Sequence, residues 1–317
     1  MPGVCGGRRQ SGGAVGGTRY RLLATPSTAT RLRPGDHVCW MFENDDGCLD
    51  DTAHLVHGGI EAQEKIICFT QAVMPVAVAA ALESVDVATG PALARGQLRI
   101  ATAGDTFLRH GVFDPDAALR TWRDGIEAAR QEGYRGLRVI ADMMWAAQSV
   151  VSAGRLAWYE GQLSRLCAGG FLSAVCMYDR RMFTAAELSE ISMTHLASAP
   201  PGNHTPLIIP LRIVRTTDPV GIRLTGEADL ATRRALHAVL DGLPEDLPYG
   251  TPVTVDLTGL SFADGATAAA LVRLAQALPT GSRFVGASAS LAAVLRLLGA
   301  GVVPGLGADG TVLEGVA

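Results

Sequence analysis

The chain has 317 residues, of which 48% are apolar and 18% charged, and its formal net charge is −4. This composition excludes a disordered or fibrous chain, and the small negative charge gives no electrostatic reason to expect direct binding to nucleic acid. The length suggests two domains, each large enough to bury its own core.

The six cysteines show no paired spacing, and the sequence shows neither a secretory signal nor an apolar run long enough to span a bilayer. We therefore expect a cytoplasmic protein with no disulfide framework and no membrane partner. Residues 1–31 are rich in Gly, Ser, Thr and Arg and contain no acidic residue, which predicts a disordered leader.

A first strand is predicted over His37–Phe42, directly after a Pro-Gly turn. The alternation of a strand places His37, Cys39 and Met41 on one face, and Val38, Trp40 and Phe42 on the other. A histidine and a cysteine two residues apart can hold a soft metal ion or line a pocket. The alternative, which the spacing alone favours, is a buried histidine with one hydrogen-bond partner beside a cysteine that fills apolar space.

Four further strands alternate with helices along the first two thirds of the chain. The strands are predicted at Lys65–Thr70, Gln97–Thr102, Leu137–Asp142 and Leu172–Tyr178. Helix starts are indicated by Asp45 or Asp46, by Asp114 followed by Pro115, and by a capping box from Thr184 to Glu187. The alternation predicts an α/β domain with a mostly parallel sheet and helices on both faces, Rossmann- or RecA-like but without a phosphate loop.

Ligands of such sheets bind beyond the carboxyl ends of the strands. Asp142 and Asp179 lie at two of these ends and can be interpreted as paired carboxylates for acid–base or Mg²⁺ chemistry. Strand-end aspartates more commonly cap turns and helices. The missing phosphate loop argues against a nucleotide hydrolase.

The segment His37–Phe42 (HVCWMF) resembles the H-x-C-x-[aromatic]-[aromatic] opening of MEDS sensory domains. The resemblance continues through residues 111–114, 133–139, Trp145, 159–160 and 176–178, and covers residues 32–198. It departs from the family pattern at Met41, which is usually aromatic, and at Ala141, which is usually glycine.

This resemblance implies a sensor of small, hydrocarbon-derived molecules that precedes an output module. Carried over residue by residue, it implies that the candidate ligand-binding residues are His37, Cys39, Trp145, Glu160 and Cys176. No cofactor is required; a small organic ligand and a soft metal ion at His37 and Cys39 both stay open.

A proline-rich segment, residues 199–208, predicts a short and stiff linker to a second domain over residues 209–317. Strands are predicted there at Leu211–Thr216, Gly221–Thr225, Pro252–Leu257 and Arg283–Gly286. Helices are predicted to follow the second strand, to about Leu243, and to cover about Gly265–Leu278 and Leu291–Leu298.

The segments 226–232 (GEADLAT) and 255–264 (VDLTGLSFAD) resemble a STAS domain of the anti-sigma-factor-antagonist type over residues 209–316. Such domains bind a partner, often an anti-sigma factor or a related serine-kinase-type regulator, through the loop and helix after the central strand. The implied partner-binding residues are Asp229, Ser261, Asp264, Gly265 and Thr267.

One departure from that family changes the expected regulation. The antagonists carry Asp-Ser-[Ser/Thr]-Gly, in which the first serine accepts a phosphoryl group, whereas this chain has Asp264-Gly265-Ala266-Thr267. Gly265 has no hydroxyl group, so we expect partner binding that this modification does not control. Asp264 is also expected to act as a helix N-cap.

Together these features predict a non-enzymatic signal-transduction protein of transcription regulation, in which a MEDS-like sensor controls a partner-binding STAS module. One alternative is an enzyme that acts on a small molecule in the α/β domain through Asp142, Asp179, His37 or Cys39. Another is a scaffold whose first domain binds no ligand.

Overall fold

A computed structural model describes most of the two predicted domains. The described residues are 32–71, 74–84, 89–102, 108, 113–148, 153–199, 207, 209–248, 250–278 and 280–299. The predicted leader, the three prolines of the predicted linker and the motif residues 111 and 112 lie outside them.

The first domain contains a sheet of six parallel strands in the order β3-β2-β4-β5-β1-β6. Its strands are β1 (His37–Phe42), β2 (Lys65–Thr70), β3 (Leu98–Thr102), β4 (Leu137–Asp142), β5 (Leu172–Asp179) and β6 (Ala197–Ala199). Its described helices are α1 (Asp45–Glu61), α2 (Pro75–Ser84), α3 (Thr89–Ala94), α4 (Pro115–Gln131), α5 (Met144–Gln148), α6 (Ala153–Cys167) and α7 (Ala185–Ser192). The prediction of a mostly parallel α/β domain is confirmed.

Local signals set most helix starts. The Asp114 carboxylate accepts from the Ala117 amide ahead of α4, and Thr184 and Glu187 form the predicted capping box of α7. The predicted cap of α1 was wrong. Asn44 accepts from the Gly47 amide, and the two aspartates that follow it lie in the first turn, where the helix dipole favours negative charge.

The side chains on the two faces of β1 pack in different hydrophobic cores, as their alternation predicts. Cys39 packs in a layer with Trp122 of α4 and Tyr159 of α6. Val38, Trp40 and Phe42 pack on the opposite face. A short sixth strand, β6, pairs with the free side of β1; sequence analysis placed its last residue, Ala199, in the linker.

The second domain contains a four-stranded sheet in the order β10-β9-β8-β7. Its elements are β7 (Leu211–Thr217), β8 (Val220–Ala228), α8 (Arg233–Asp246), β9 (Val253–Ala263), α9 (Gly265–Ala277), β10 (Ser282–Val285) and α10 (Ala289–Leu297). Strands β7 and β8 are antiparallel, and the other neighbours are parallel.

Strand β9 continues through residues 258–263, beyond the predicted end of this strand at Leu257. It is longer because β8 also extends, to Ala228, which pairs with Ala263 after two shifts in register. The Ser261 hydroxyl, which donates to the Gly226 carbonyl oxygen at 2.9 Å, ties the two extensions together. No helix in the described part of the chain combines the length and the apolar character needed to cross a bilayer.

Candidate functional site

Four buried polar side chains meet on the α6 side of the first sheet. They are His37 on β1, Cys176 on β5, Glu160 on α6 and His195 just before β6, and their nearest ligand atoms all lie within 4.8 Å of one another. We call these four residues the buried cluster. The pairing of β1 with β5 and with β6 creates it, and the Leu196 amide donates to the His37 carbonyl oxygen at 3.2 Å.

The Glu160 carboxylate lies at the centre of the cluster. Its Oε2 atom lies 3.2 Å from His37 Nε2, 3.4 Å from His195 Nε2 and 3.5 Å from Cys176 Sγ. Cys176 Sγ also lies 3.5 Å from His37 Nε2. Both imidazoles and the carboxylate are completely buried, and the two rings pack against each other with centroids 4.1 Å apart.

Hydrogen bonds outside the cluster orient the two imidazoles. His37 Nδ1 lies 2.8 Å from the Ser164 hydroxyl, which itself donates to the Thr194 carbonyl oxygen. Since that hydroxyl has one proton, the His37 Nδ1–H donates to Ser164. His195 Nδ1 lies 2.9 Å from the Ile191 carbonyl oxygen, which can only accept. Both Nε2 atoms therefore point a lone pair into the cluster when the rings are neutral.

Burial sets the protonation of these groups. It lowers the pKa of His37 to about 3, and burial followed by the neighbouring His37 lowers the pKa of His195 to about 3. Burial, and next the Glu160 carboxylate, raises the pKa of the Cys176 thiol well above its usual range. At neutral pH both rings are therefore neutral and, without a cation, the thiol keeps its proton.

The cluster contains three of the five residues predicted to bind a ligand: His37, Glu160 and Cys176. Cys39 is the register partner of Cys176 on β1 but is not one of the four. Trp145 is buried against Phe113, with ring centroids 4.5 Å apart.

Sequence reasoning missed His195 and Ser164. Ser164 follows Glu160 by one helical turn, so the helical spacing alone could have found it. His195 lies 158 positions after His37 along the chain, and only the pairing of β6 with β1 brings the two together.

The strand-end aspartates have structural partners. Asp142 accepts from the backbone amides of Gln71 and Met144, each at 3.0 Å. Asp179 accepts from the Arg181 amide at 2.8 Å and from the Arg181 side chain. Both sets of contacts match the turn-capping role that competes with a catalytic one.

A small cavity lies on the opposite face of the sheet. Its volume is about 20 Å³, and it is lined by residues that include Cys48, Cys68, Thr70, Asp142 and Met177. A space of this size holds about one water molecule and is too small for an organic ligand.

Helix α6 also forms the contact between the two domains. A Cβ atom added at Gly161 would lie 3.0 Å from the Ala238 side chain, so the backbones of α6 and α8 approach closely. Arg165 binds Asp246 of α8 through two hydrogen bonds of 2.7 and 2.8 Å, and Arg215 of β7 joins the same carboxylate. Beside this contact the two helices line a groove of about 470 Å³.

The predicted partner loop is ordered by its own side chains. The Asp264 carboxylate accepts from the Thr267 amide and from Arg233, both at 2.7 Å. Burial raises the pKa of Asp264, but these hydrogen bonds outweigh it and hold that pKa below its usual value. Thr267 is buried and its hydroxyl donates to the Ala228 carbonyl oxygen at 3.2 Å. Asp229 Oδ1 accepts from the Ala231 amide.

The fold and the buried cluster define an α/β protein with two domains and an internal polar site in the first. The MEDS family model, described as a methanogen/methylotroph, DcmR sensory domain, matches residues 36–196, half of the chain, and the chain belongs to this family. A second model, described as "Mlab, STAS domain", matches residues 211–306. The predicted fusion of a MEDS and a STAS domain is thereby confirmed, and the two domains together suggest a signalling or regulatory role.

Two solved structures resemble part of the chain. The flagellar accessory protein FlaH from Methanocaldococcus jannaschii is 12% identical, with a TM-score of 0.38 over 53% of this chain and 71% of that one. A KaiC-like protein from Pyrococcus horikoshii is 13% identical, with a TM-score of 0.39 over 57% and 78%. No curated protein matches the chain significantly. Nothing about function follows from likenesses this distant.

Proposed function

We propose that the protein is a cytoplasmic regulator in which a ligand of the first domain controls how the STAS domain binds a partner protein. One observation carries the proposal: helix α6 belongs to both the buried cluster and the domain contact. Glu160 and Ser164 face the cluster, and the residues that follow them, Gly161 and Arg165, face α8.

Because of this alternation, α6 connects the buried cluster to the contact between the domains. Because a packed helix moves as a rigid body, a shift of Glu160 toward or away from a ligand also shifts Gly161 against α8. Small residues bring the two helices close together at this contact, where a Cβ atom added at Gly161 would lie 3.0 Å from the Ala238 side chain.

The same displacement reaches the predicted partner surface through α8. Arg233, the first residue of α8, binds Asp264, and Asp264 caps α9. A movement of α8 therefore changes the support of the loop that contains Gly265.

The surface beside this loop suits a protein partner. Leu230 and Phe262 are 62% and 52% exposed, and Phe262 lies one residue before the strand end at Ala263. Exposed apolar side chains with a polar rim are typical of protein interfaces. From the STAS resemblance, the partner class is an anti-sigma factor or related serine-kinase-type regulator.

The proposed binding does not depend on phosphorylation of this loop. Gly265 offers no acceptor, Thr267 is buried, and the Ser261 hydroxyl donates to Gly226. We also propose no catalytic step in the first domain, because the whole cluster is buried away from a substrate. The five described cysteines are free and buried, which supports a reducing compartment.

The test begins with two full-length baits, the natural chain and Phe262→Ser, which changes an exposed side chain. A serine-kinase-type protein that binds the first bait directly and the second at least about tenfold more weakly would support the surface. Equal binding to both baits would contradict it.

The second step incubates the purified complex with ATP and maps phosphate on the chain. We expect no phosphate and no dissociation. Gly265→Ser should make the complex ATP-sensitive, whereas Gly265→Ala should not; an added Cβ meets no atom within 4 Å, so both variants fit. Stoichiometric phosphorylation of Ser261 or Thr267 that abolishes binding would contradict the proposal.

A further inference from the structure

The buried cluster has more lone pairs than protons to share. His37 Nε2, His195 Nε2 and Glu160 Oε2 all face inward, and the one donor that these four residues direct inward is the weak S–H of Cys176. His195 Nε2 is buried without a hydrogen-bond partner. Native proteins rarely leave buried acceptors unpaired, because the loss of hydration is not compensated.

We propose that this cluster is a metal site that holds one divalent transition-metal ion, with zinc as the best fit. The ligands are His37 Nε2, His195 Nε2, Glu160 Oε2 and Cys176 Sγ. Imidazole, carboxylate and thiolate are the groups that bind zinc in proteins, and four of them complete its preferred tetrahedron.

Most of the distances between the ligand atoms are close to those of such a tetrahedron. An ion with bonds of about 2.0–2.3 Å places its ligand atoms roughly 3.3–3.8 Å apart. Four of the six separations between the ligand atoms are 3.2, 3.4, 3.5 and 3.5 Å, and all six lie within 4.8 Å. A side-chain adjustment of about 1 Å would therefore bring the four atoms to bonding distance of one ion.

The charges also balance. The Glu160 carboxylate and the Cys176 thiolate supply two negative charges, which equal the charge of a divalent ion, while both imidazoles stay neutral. Binding of the ion to Cys176 Sγ displaces the thiol proton, which leaves to solvent. The occupied site is then neutral overall, which removes the cost of a buried unpaired charge.

The outer partners are those of a metal site. Histidine ligands commonly donate their second N–H to a hydroxyl, carbonyl or carboxylate, as His37 does to Ser164 and His195 to Ile191. The Tyr178 hydroxyl donates to Glu160 Oε1 at 2.7 Å, which leaves Oε2 for the ion. The lone H-x-C pair of β1 did not show this arrangement, because Cys39 is not among the ligands.

All four positions are filled by the protein and buried, so the ion has no open position for a substrate. The ion would join β1, β5, α6 and the turn before β6. Its regulatory effect, through the position of α6, rests on the proposed function; the metal site itself does not.

The experiment measures bound metal in the full chain. The protein is produced without a histidine tag in zinc-supplemented or cobalt-supplemented medium, and metal is counted by plasma mass spectrometry. We expect one ion per chain. The cobalt form should show the strong visible bands of four-coordinate Co²⁺ and a near-ultraviolet band from thiolate-to-cobalt charge transfer.

Three variants assign the ligands. Cys176→Ser should lose the charge-transfer band. Cys68→Ser, a matched change of a buried cysteine on the opposite face of the sheet, should keep it. Ser164→Ala, which keeps every ligand but removes the partner of His37, should weaken Co²⁺ binding by about 10–100-fold.

A natural chain that is folded and contains less than a tenth of an ion would overturn the site, as would a charge-transfer band that survives in Cys176→Ser. If the ion is absent while the partner still binds, the metal site fails and the proposed partner binding stands. If the ion is present but does not affect the partner, only the regulatory link fails.

Discussion

Two carboxylates, Glu160 in the first domain and Asp264 in the second, differ in their burial and in the partners that surround them. Asp264 lies near the surface, and its contacts with Arg233 and the Thr267 amide are complete. Glu160 is fully buried, and one of its oxygens faces two imidazole nitrogens that bear lone pairs. The hydrogen bonds and the counter-charge of Asp264 are therefore complete, whereas Glu160 lacks a cation that would also pair with the two imidazoles.

The difference indicates the kind of ligand each domain takes. A complete polar network at the surface fixes the shape of a loop and leaves its exposed apolar neighbours, such as Phe262, to contact a protein. An incomplete polar network in the interior can be completed by a bound ion, and it presents no surface to a protein partner.

Burial alone does not leave a polar group without partners, as the ion pair of Arg138 and Glu64 shows. Both side chains are buried, joined by a 2.7 Å hydrogen bond, and Arg138 also donates to the Leu55 carbonyl oxygen. We expect Glu64→Gln to lower the free energy of unfolding by about 3–5 kcal/mol, because it leaves a buried guanidinium without its counter-charge.

The control for that variant is Glu43→Gln. Glu43 and Arg180 are about half exposed, so this change should cost less than about 1 kcal/mol. Urea denaturation of both variants measures the difference. Equal losses would mean that the buried ion pair contributes no more to the free energy of unfolding than the exposed one.

Zinc should stabilise the chain through the incomplete network. If the ion binds only the folded state, a free concentration 100 times its dissociation constant raises the free energy of unfolding by about 2.7 kcal/mol. Thermal unfolding with and without Zn²⁺ tests this, and Cys176→Ser should lose most of the gain. If Zn²⁺ does not change the unfolding temperature of the natural chain, the cluster does not bind the ion and its polar groups are already satisfied.

The contact between the domains should respond to a single methyl group. Gly242→Ala places a Cβ atom 2.4 Å from Arg165 Nε and so forces Arg165 away from Asp246. We expect a loss of about 1 kcal/mol in urea denaturation, the order of a lost hydrogen bond to a charged group, because the flexible Arg165 side chain can move away from the added methyl group.

Gly154→Ala on α6 is the matched control for that variant. Its added Cβ meets no atom within 4 Å, so it should be neutral or stabilise the helix by up to about 1 kcal/mol. Equal effects of the two alanines would show that α6 and α8 are not tightly packed in solution.

The surface carboxylate should give the smallest effect, and that effect should depend on pH. Asp264→Asn keeps an N-cap but loses the charge that faces Arg233, at a cost of less than about 1 kcal/mol near neutral pH. The folded pKa of Asp264 is lowered, so its contribution is present above the pKa of the unfolded chain and disappears as pH falls through the folded pKa.

Unfolding of Asp264→Asn and the natural chain should therefore converge in acid. The comparison needs denaturant curves at roughly pH 7 and at acid values down to about pH 2, because the folded pKa of Asp264 lies below its usual value. A stability gap that grows in acid would contradict the assignment of the charge to this pair.

Much of the fold followed from local sequence signals. The alternation in β1, the Asp114–Pro115 start of α4 and the capping box at Thr184 depend on neighbouring residues, and all three are present in the structure. Strand β6 has three residues and no pattern of its own, so only its pairing with β1 reveals it.

The site was predictable only in part for the same reason. The family resemblance indicated His37, Glu160 and Cys176, while His195 joins them through that same β6 pairing. The same resemblance, together with the spacing along β1, also indicated Cys39, and the resemblance indicated Trp145; neither is among the four residues of the cluster. The structure instead builds the cluster across β1, β5, α6 and the turn before β6.

If the buried cluster and the partner loop are coupled through α6 and α8, hydrogen–deuterium exchange of the full chain should detect the coupling. Addition of Zn²⁺ to the metal-free protein should slow exchange in α6 and also change exchange in α8 and at the amides of 265–267. Gly242→Ala should keep the first response and lose the second. A change confined to residues before 199, in the natural chain, would contradict the claim.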